Sequence, residues 1–296
     1  MSAAELMARL AALGRDFTPA QMAASRDLFA PRVLRPEQVA GCTVTRDVAY
    51  GEDPRHRLDL FAPAAPGPAR PVFVFVHGGG FVQGDKGAAD APFYSNVGAW
   101  AAMQGYVGVA LTYRLAPAHP WPAGSADLDL AVRWLQAHVA AQGGDPARIV
   151  LCGQSAGAVH VAGYVEGQGR DPATPPALAA AVMVSGIYDL AVAAPSPMHD
   201  AYFGADRSLH PSRSTVEALA ATQLPCLFSV CEFDPPEFQR QAARVVQARV
   251  ALRGEWPPFV QLAGHNHLSS VLQVGSDVDS LGPVLRAFID RATVRG

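Results

Sequence analysis

Short apolar runs alternate with helix-like stretches along most of this 296-residue chain, and this alternation restricts the fold more than any other feature of the sequence. The central runs are continuously apolar, which is typical of parallel strands that are buried on both faces of a sheet. Strands and helices that alternate in this way form an open, mostly parallel sheet with right-handed crossovers. We therefore predict an α/β fold with strands near residues 44–50, 57–61, 72–76, 106–112, 148–152, 180–185, 226–231 and 258–262.

Helix-like stretches fill the intervals between these runs. The clearest of them begins at Ser125 and ends near Gln142, just before two glycines that stop it. Its apolar residues recur every three or four positions, as a helix with one buried face requires. We interpret residues 1–40 as a helical N-terminal arm or cap, and residues 41–296 as the body that contains the sheet. Further helices are expected near residues 3–13, 19–28, 237–252 and 278–292.

Ser155 lies at the centre of the sequence Gly-Gln-Ser-Ala-Gly, which follows a predicted strand and precedes a helix-like stretch. A sharp turn between a strand and a helix presents a serine hydroxyl at the edge of a parallel sheet. The flanking Gly153 and Gly157 leave room for a strained backbone, and the amides at the helix start stabilise negative charge. The alternative is a serine in an ordinary loop, but the strand–turn–helix setting favours a nucleophile.

A second glycine-rich segment, His77-Gly78-Gly79-Gly80, follows the predicted strand at 72–76. Backbone amides that no side chain covers can stabilise the oxyanion of an acyl-transfer reaction. We expect the amides of Gly79 and Gly80 to form an oxyanion hole together with the amide of Ala156. We expect His77 to brace this loop by hydrogen bonding. A flexible loop is the alternative, but it would not need a buried strand before it.

Together with two further motifs, these segments resemble the hormone-sensitive-lipase-like esterases of the α/β-hydrolase superfamily. The further motifs are Tyr113-Arg114-Leu115-Ala116-Pro117 and Trp121-Pro122-Ala123. The upstream Tyr50-Gly51 and the segment 58–63 resemble more closely the branch that includes bacterial carboxylesterases and kynurenine formamidases. The resemblance extends from about Tyr50 to the C-terminus. It implies an α/β-hydrolase fold, a mostly parallel central sheet flanked by helices with a small helical N-terminal or cap region, and it makes residues 41–296 the catalytic domain.

The resemblance also implies a catalytic acid and a histidine base, in that order, after the serine. Asp234 follows the predicted strand at 226–231 and matches the family's Glu-x-Asp-Pro segment, whose aspartate is the acid; Glu232 is the competing candidate. His267 matches the family's Gly-x-x-His pattern before the last helical region, whereas His265 fits a Gly-His pattern that occurs elsewhere in the superfamily. We favour Ser155, Asp234 and His267 as the catalytic residues.

Composition excludes several other classes of protein. The net charge is −3 with no basic tract, so a nucleic-acid partner is not expected. The sequence contains no run of about 18 apolar residues that could span a membrane, and no metal-ligand motif, so neither a membrane partner nor a metal or other cofactor is expected.

The N-terminus lacks the features of a signal peptide and the cysteines fit a reduced core, so we expect a cytoplasmic protein. The sequence leaves open whether the chain forms a homodimer. The four cysteines are Cys42, Cys152, Cys226 and Cys231.

The sequence therefore predicts a serine hydrolase that cleaves small-molecule carboxylic esters with short, medium or aromatic acyl groups. One alternative is an arylformamidase that cleaves N-formylkynurenine, since a formamide passes through a similar oxyanion. Another is a non-catalytic binding module on the same fold. The sequence does not determine whether the N-terminal arm or residues 190–213 cover the site. Four aromatic residues are candidates for the wall of the substrate pocket, with the core as the alternative location for each: Phe81, Tyr113, Tyr188 and Phe203.

Overall fold

A single eight-stranded sheet forms the centre of the computed structural model, which describes residues 1–65, 67–88, 91, 93–170 and 178–294. The strand order is β1-β2-β4-β3-β5-β6-β7-β8. Only β2 runs against its neighbours in this described sheet, and β3 to β8 are all parallel. The strands are β1 (Cys42–Ala49), β2 (Arg57–Pro63), β3 (Arg70–Val76), β4 (Val107–Leu111), β5 (Gly144–Gln154), β6 (Ala180–Val184), β7 (Cys226–Phe233) and β8 (Phe259–Asn266).

The helices cover both faces of the sheet. All eight predicted strands are present, and the five predicted helices occur with ends shifted by a few residues. The main differences at the strand ends are in β5, which begins four residues earlier than predicted, and in β8, which ends four residues later. The helices are α1 (Ala3–Leu13), α2 (Pro19–Phe29), α3 (Ser95–Met103), α4 (Ala123–His138), α5 (Ala156–Glu166), α6 (Pro197–Phe203), α7 (Val216–Ala221), α8 (Pro236–Arg253), α9 (Ser269–Leu272) and α10 (Gly282–Thr293).

Helix α3 is the longest helix that the sequence did not predict. Nearly all of its residues are buried, so it has no polar face and no apolar stripe to recognise. It packs so closely on the sheet that a Cβ at Gly98 would overlap the ring of Phe61. The shorter α6 lies in the proline-rich segment 194–211, where the sequence also lacks periodicity.

Apolar side chains from alternate strand positions form a separate core on each face of the sheet. Val72, Val74 and Val76 of β3 belong to one core, whereas Phe73 and Phe75 belong to the other. This division follows from the alternation of side chains along a strand. All four cysteines are unpaired.

The N-terminal arm packs on the second of these cores. Leu6, Leu10 and Phe29 are buried there beside residues of α9 and α10. A polar contact joins the arm to the end of β8, where the Asn266 side-chain amide donates to Ser25 Oγ at 2.9 Å. Among the described helices, none combines the length and the apolar character that a membrane span requires.

Burial lowers the pKa of the imidazole at three of the buried histidines, His77, His160 and His265. The pKa falls to about 3 for His77 and for His160, and to about 4 for His265. His160 lies among aromatic rings, with the Tyr113 ring 4.4 Å and the Tyr202 ring 5.0 Å from its own centroid. Neither of its ring nitrogens has a hydrogen-bond partner within the described chain. The folded protein therefore holds these imidazoles neutral in weakly acidic solution.

We predict that replacing His160 with phenylalanine makes stability less sensitive to acid. An unfolded histidine has a pKa of about 6.5, so unfolding of the chain with its His160 pKa of about 3 takes up a proton between about pH 3 and pH 6.5, and the free energy of unfolding falls as the pH drops through that window. His160→Phe should remove about one of the protons taken up, because phenylalanine does not titrate. Urea unfolding at pH 5 and pH 7 measures this difference. An unchanged pH dependence in the variant would show that His160 is not held neutral.

Candidate active site

Ser155 lies in a sharp turn between the end of β5 and the start of α5. Its backbone has φ 56° and ψ −120°, a conformation that residues other than glycine rarely adopt. A hydrogen bond of 2.9 Å from the Ser155 amide to the carbonyl oxygen of Val184 at the end of β6 holds the turn against the sheet. The side chain is partly exposed. The turn thus places the Ser155 hydroxyl at the carboxyl edge of the parallel strands.

The glycines on either side of Ser155 are required by close backbone packing. A Cβ at Gly153 would overlap the carbonyl group of Gly157 across the turn. A Cβ at Gly157 would overlap the carbonyl oxygen of Val76, the last residue of β3. Only glycine permits both approaches, so the start of α5 packs directly against the point where β3 ends.

The segment that follows β3, residues 77–84, is called the glycine loop. It folds back on itself, because the amides of Val82 and Gln83 both donate to the carbonyl oxygen of Gly79. Gly79 and Gly80 have φ values of 132° and 60°, which favour glycine. A Cβ at Gly78 would lie 3.0 Å from Ser155 Cβ, so the loop passes directly beside the serine.

Three backbone amides beside Ser155 have no hydrogen-bond acceptor among the described residues. They belong to Gly79 and Gly80 of the glycine loop and to Ala156, the first residue of α5. Free amides of this kind can bind negative charge that develops on an oxygen atom. They are the three amides that the sequence predicts for an oxyanion hole.

His77, at the start of the glycine loop, is fully buried. Its Nδ1 donates to the carbonyl oxygen of Gly78 at 2.6 Å, and its ring stacks on Tyr113 with centroids 4.4 Å apart. The Tyr113 hydroxyl donates in turn to the carbonyl oxygen of His77 at 2.9 Å. Because burial lowers the pKa of His77 to about 3, the ring stays neutral and serves as a fixed hydrogen-bond partner of the loop.

Asp234 and His267 meet at the carboxyl ends of β7 and β8. The strand register sets this contact, since Phe233 and Asn266, the residues just before them, are cross-strand partners. His267 Nδ1 donates to Asp234 Oδ1 at 2.6 Å, and both side chains are buried. His267 Nε2 is also buried and has no partner in the part of the chain that the structure describes. The imidazole therefore has one nitrogen engaged by the carboxylate and the other free to exchange a proton.

The Asp234 carboxylate is held by two further donors. Its Oδ2 accepts hydrogen bonds of 2.6 Å from the Ser185 hydroxyl and from the backbone amide of Cys231. Ser185 was not among the predicted site residues. It follows β6 directly, as Ser155 follows β5, so its position at the end of the strand predicted for residues 180–185 is the sequence feature that could have indicated it.

The two competing candidates are engaged elsewhere. Glu232 Oε2 accepts a hydrogen bond of 2.8 Å from the Gly264 amide, which ties β7 to β8. His265 Nδ1 lies 3.2 Å from the hydroxyl of Ser269, and its ring packs near Phe29 of the N-terminal arm. The structure therefore joins Asp234 to His267 and leaves Glu232 and His265 in contacts that stabilise the surrounding backbone.

Two aromatic rings enclose the His267 imidazole. Phe17 meets it edge-on with centroids 4.8 Å apart, and Phe238 lies at 4.2 Å. Phe17 comes from the N-terminal arm and Phe238 from α8. Sequence analysis did not identify either residue, because each reaches the site through long-range packing that leaves no local pattern.

A cavity of about 660 Å³ opens beside the glycine loop. Its wall combines this loop with the N-terminal arm, α6 and the residue after His267. Met198 of α6 lies directly over the loop, since a Cβ at Gly80 would overlap its sulfur atom. The described lining residues are Phe17, Pro19, Met22, Ala23, Arg26, Gly78, Gly79, Gly80, Gln83, Gly84, Asp85, Ala91, Phe93, Tyr94, Met198 and Leu268.

The four aromatic residues predicted for the pocket wall lie in the core instead. Tyr113 is fully buried under the glycine loop, and Tyr188 packs against Phe228 with its hydroxyl accepting from the Gly186 amide. Phe81 and Phe203 are buried in a cluster with Tyr202. Their rings pack in these buried aromatic clusters, and none of the four is among the described residues that line the cavity.

Comparison with known proteins gives a family-model match and several curated relatives. The family model described as BD-FAE matches residues 58–194, which include both glycine motifs. Among curated proteins of Mycobacterium tuberculosis, esterase LipC is 37% identical over 38% of this chain and 27% of its own length. Carboxylesterase NlhH is 40% identical over 36% of this chain and 32% of its own length. The probable carboxylic ester hydrolase LipM is 28% identical over 83% of this chain and 51% of its own length. The chain thus spans at most about half the length of these relatives.

Solved structures share the whole fold. Esterase B from Lactobacillus rhamnosis superposes with a TM-score of 0.75 at 19% identity, covering 98% of this chain and 96% of that one. The esterase of Pyrobaculum calidifontis gives a TM-score of 0.73 at 19% identity, covering 99% and 100%. These likenesses confirm the α/β-hydrolase fold that the sequence predicts.

Proposed function

We propose that this chain, which has the α/β-hydrolase fold, is a serine hydrolase that cleaves carboxylic esters through an acyl-enzyme. The observation that carries this proposal is the 2.6 Å hydrogen bond between Asp234 and His267. It lies at the same sheet edge as the strained Ser155 turn and the three free amides. The esterase names of the relatives and structural neighbours support the same reaction.

In the proposed reaction Ser155 Oγ attacks the ester carbonyl while His267 Nε2 takes the hydroxyl proton. Asp234 accepts from Nδ1, so it fixes the tautomer in which Nε2 carries the lone pair. In enzymes without bound substrate, hydrogen bonds between catalytic groups are often long and tighten only in the substrate complex. A His267 Nε2 that has no partner among the described residues is therefore consistent with its role as the base. The proton then passes from Nε2 to the leaving alcohol, and the carbonyl carbon stays bound to Ser155 Oγ.

Water completes the cycle. His267 Nε2 takes a proton from the water molecule as its oxygen attacks the acyl-enzyme, and the proton returns to Ser155 Oγ when the acid leaves. Negative charge develops on the former carbonyl oxygen in both steps. The amides of Gly79, Gly80 and Ala156 are the proposed donors to that oxygen. This chemistry needs only side chains and backbone groups of the chain itself.

The cavity beside the glycine loop supports substrates with short, medium or aromatic acyl groups. Most of its lining side chains are apolar, and Met198 limits its depth over Gly80. We propose that residues 1–40 act as an arm that forms one wall of this pocket. The arm contributes Phe17, Pro19, Met22, Ala23 and Arg26 to the cavity lining. The four unpaired cysteines support a reducing, cytoplasmic location.

We predict that Ser155→Ala lowers the turnover of 4-nitrophenyl butyrate by about 10⁴-fold or more, because the variant lacks the nucleophile. The protein should also lose covalent labelling by a fluorophosphonate, which the unaltered chain should accept at one site. Ester hydrolysis and intact-mass measurements check both results. A folded wild-type protein that neither hydrolyses esters nor reacts with the probe would favour a non-catalytic binding module.

The same assay separates ester hydrolysis from formamide hydrolysis. We expect 4-nitrophenyl acetate and butyrate to react faster than N-formylkynurenine under matched conditions. A formamide rate far above both ester rates would contradict the ester proposal while leaving the role of Ser155 intact.

We also predict that His267→Gln lowers kcat far more than His265→Gln does. Loss of His267 removes the proposed base and should lower kcat by about 10⁴-fold or more. Loss of His265, which is buried two residues away without touching Asp234, should change kcat by less than about fivefold. Steady-state kinetics of the two purified variants provide the comparison. Comparable losses in both, or a larger loss in His265→Gln, would contradict the assignment of the base.

A further inference from the structure

We propose that Arg55 is a positioning residue that holds the oxyanion-binding loop in its active shape. This inference rests on the proposed serine-hydrolase function and adds to it a residue outside the catalytic triad. Arg55 lies in the turn between β1 and β2, far along the chain from the glycine loop. No sequence motif that carries the chemistry includes it.

The Arg55 side chain contacts Gly84, the last residue of the glycine loop, and Tyr113, which lies two residues after the end of β4. Nη2 donates to the carbonyl oxygen of Gly84 at 2.8 Å, and Nε donates to the carbonyl oxygen of Tyr113 at 2.7 Å. Nη2 also lies 3.5 Å from His77 Nε2. Since His77 Nδ1 donates to Gly78, the other ring nitrogen carries a lone pair that faces the guanidinium. One side chain therefore contacts the first and last residues of the glycine loop.

Backbone packing makes these contacts relevant to the oxyanion amides. A Cβ at Gly84 would overlap both the carbonyl oxygen of Gly78 and the ring of His77, so the end of the loop lies directly against its start. The Tyr113 hydroxyl also holds the start of the loop, by donating to the carbonyl oxygen of His77. A shift of Gly84 would therefore displace Gly78 and, with it, the neighbouring amides of Gly79 and Gly80.

The partners of the guanidinium also favour a geometric role. Among the described residues, no carboxylate lies within ion-pair distance of the Arg55 side chain. Its hydrogen bonds end on backbone carbonyls, with the imidazole at a longer distance. The planar, forked guanidinium can bond two carbonyls at fixed angles at once, which an ammonium group cannot do. Arg55 thus fixes the shape of the loop and does not neutralise a buried acid.

This position predicts a specific kinetic effect. Amides that stabilise an oxyanion must be in place before the charge develops, and small displacements are costly. The amides bind the oxyanion of the transition state more strongly than the neutral carbonyl of the bound ester. Loss of Arg55 should therefore lower kcat and leave KM nearly unchanged.

Arg55→Met and Arg57→Met form a matched pair for the test. Arg57 lies two residues along the chain, and within the described residues its side chain donates only to the carbonyl oxygens of Asp53 and His56, neither of which belongs to the glycine loop. We expect Arg55→Met to lower kcat for 4-nitrophenyl butyrate about 10- to 100-fold, with KM within about threefold. Arg57→Met should leave both constants within about threefold of the wild type.

The inhibition constant of a trifluoromethyl ketone, whose adduct carries an oxyanion, should rise in Arg55→Met in parallel with the fall in kcat/KM.

Titration with a fluorophosphonate counts the folded, reactive sites in each preparation, so kcat is expressed per active site. A conservative Arg55→Lys variant should keep the bond to one carbonyl and lie between the wild type and Arg55→Met. Unchanged kcat and inhibition constant in Arg55→Met would overturn the role of Arg55 while wild-type hydrolysis still supports the proposed function. A loss explained entirely by fewer active sites, with per-site kcat intact, would also overturn it. An inactive wild-type protein would contradict the proposed function itself, and the Arg55 proposal with it.

Discussion

The close approach of two backbones at Gly157 is the constraint on which the rest of the site depends. The first turn of α5 packs against the carbonyl oxygen of Val76 with no room for a side chain between them. This contact joins the Ser155 turn to the start of the glycine loop, although the two segments are about 75 residues apart. A strained serine and a set of free amides thereby become neighbours without any side-chain contact between them.

The parallel sheet supplies the remaining groups at the same edge. Because β3 and β5 to β8 all run in one direction, the residues that follow them lie in a row. Asp234 and His267 come from the last two strands of that row, and Ser185 from the strand beside them. Each group is thus fixed first by strand register and then by its own hydrogen bonds. The N-terminal arm closes one side through Phe17, which places an apolar wall against the imidazole.

The sequence predicted the parts of this structure that leave local patterns. The apolar runs indicated every strand, and glycine motifs after two of them indicated the serine turn and the loop. The sequence could not indicate α3, because a helix that is apolar on all sides has no periodic face. It also could not assign Phe17, Phe238 or Arg55, whose roles arise from packing between distant segments. The prediction that Phe81, Tyr113, Tyr188 and Phe203 line the pocket was wrong for a related reason. The position of a residue in the sequence does not determine the direction in which its ring points.

The most direct test is the crystal structure of the protein after reaction with an alkyl phosphonate that carries a 4-nitrophenyl leaving group. We expect phosphorus on Ser155 Oγ, the phosphonyl oxygen within hydrogen-bonding distance of the Gly79, Gly80 and Ala156 amides, and His267 Nε2 beside the site of the lost leaving group. The alkyl chain should occupy the cavity below Met198. Phosphorus on another residue, or a phosphonyl oxygen turned away from all three amides, would contradict the account.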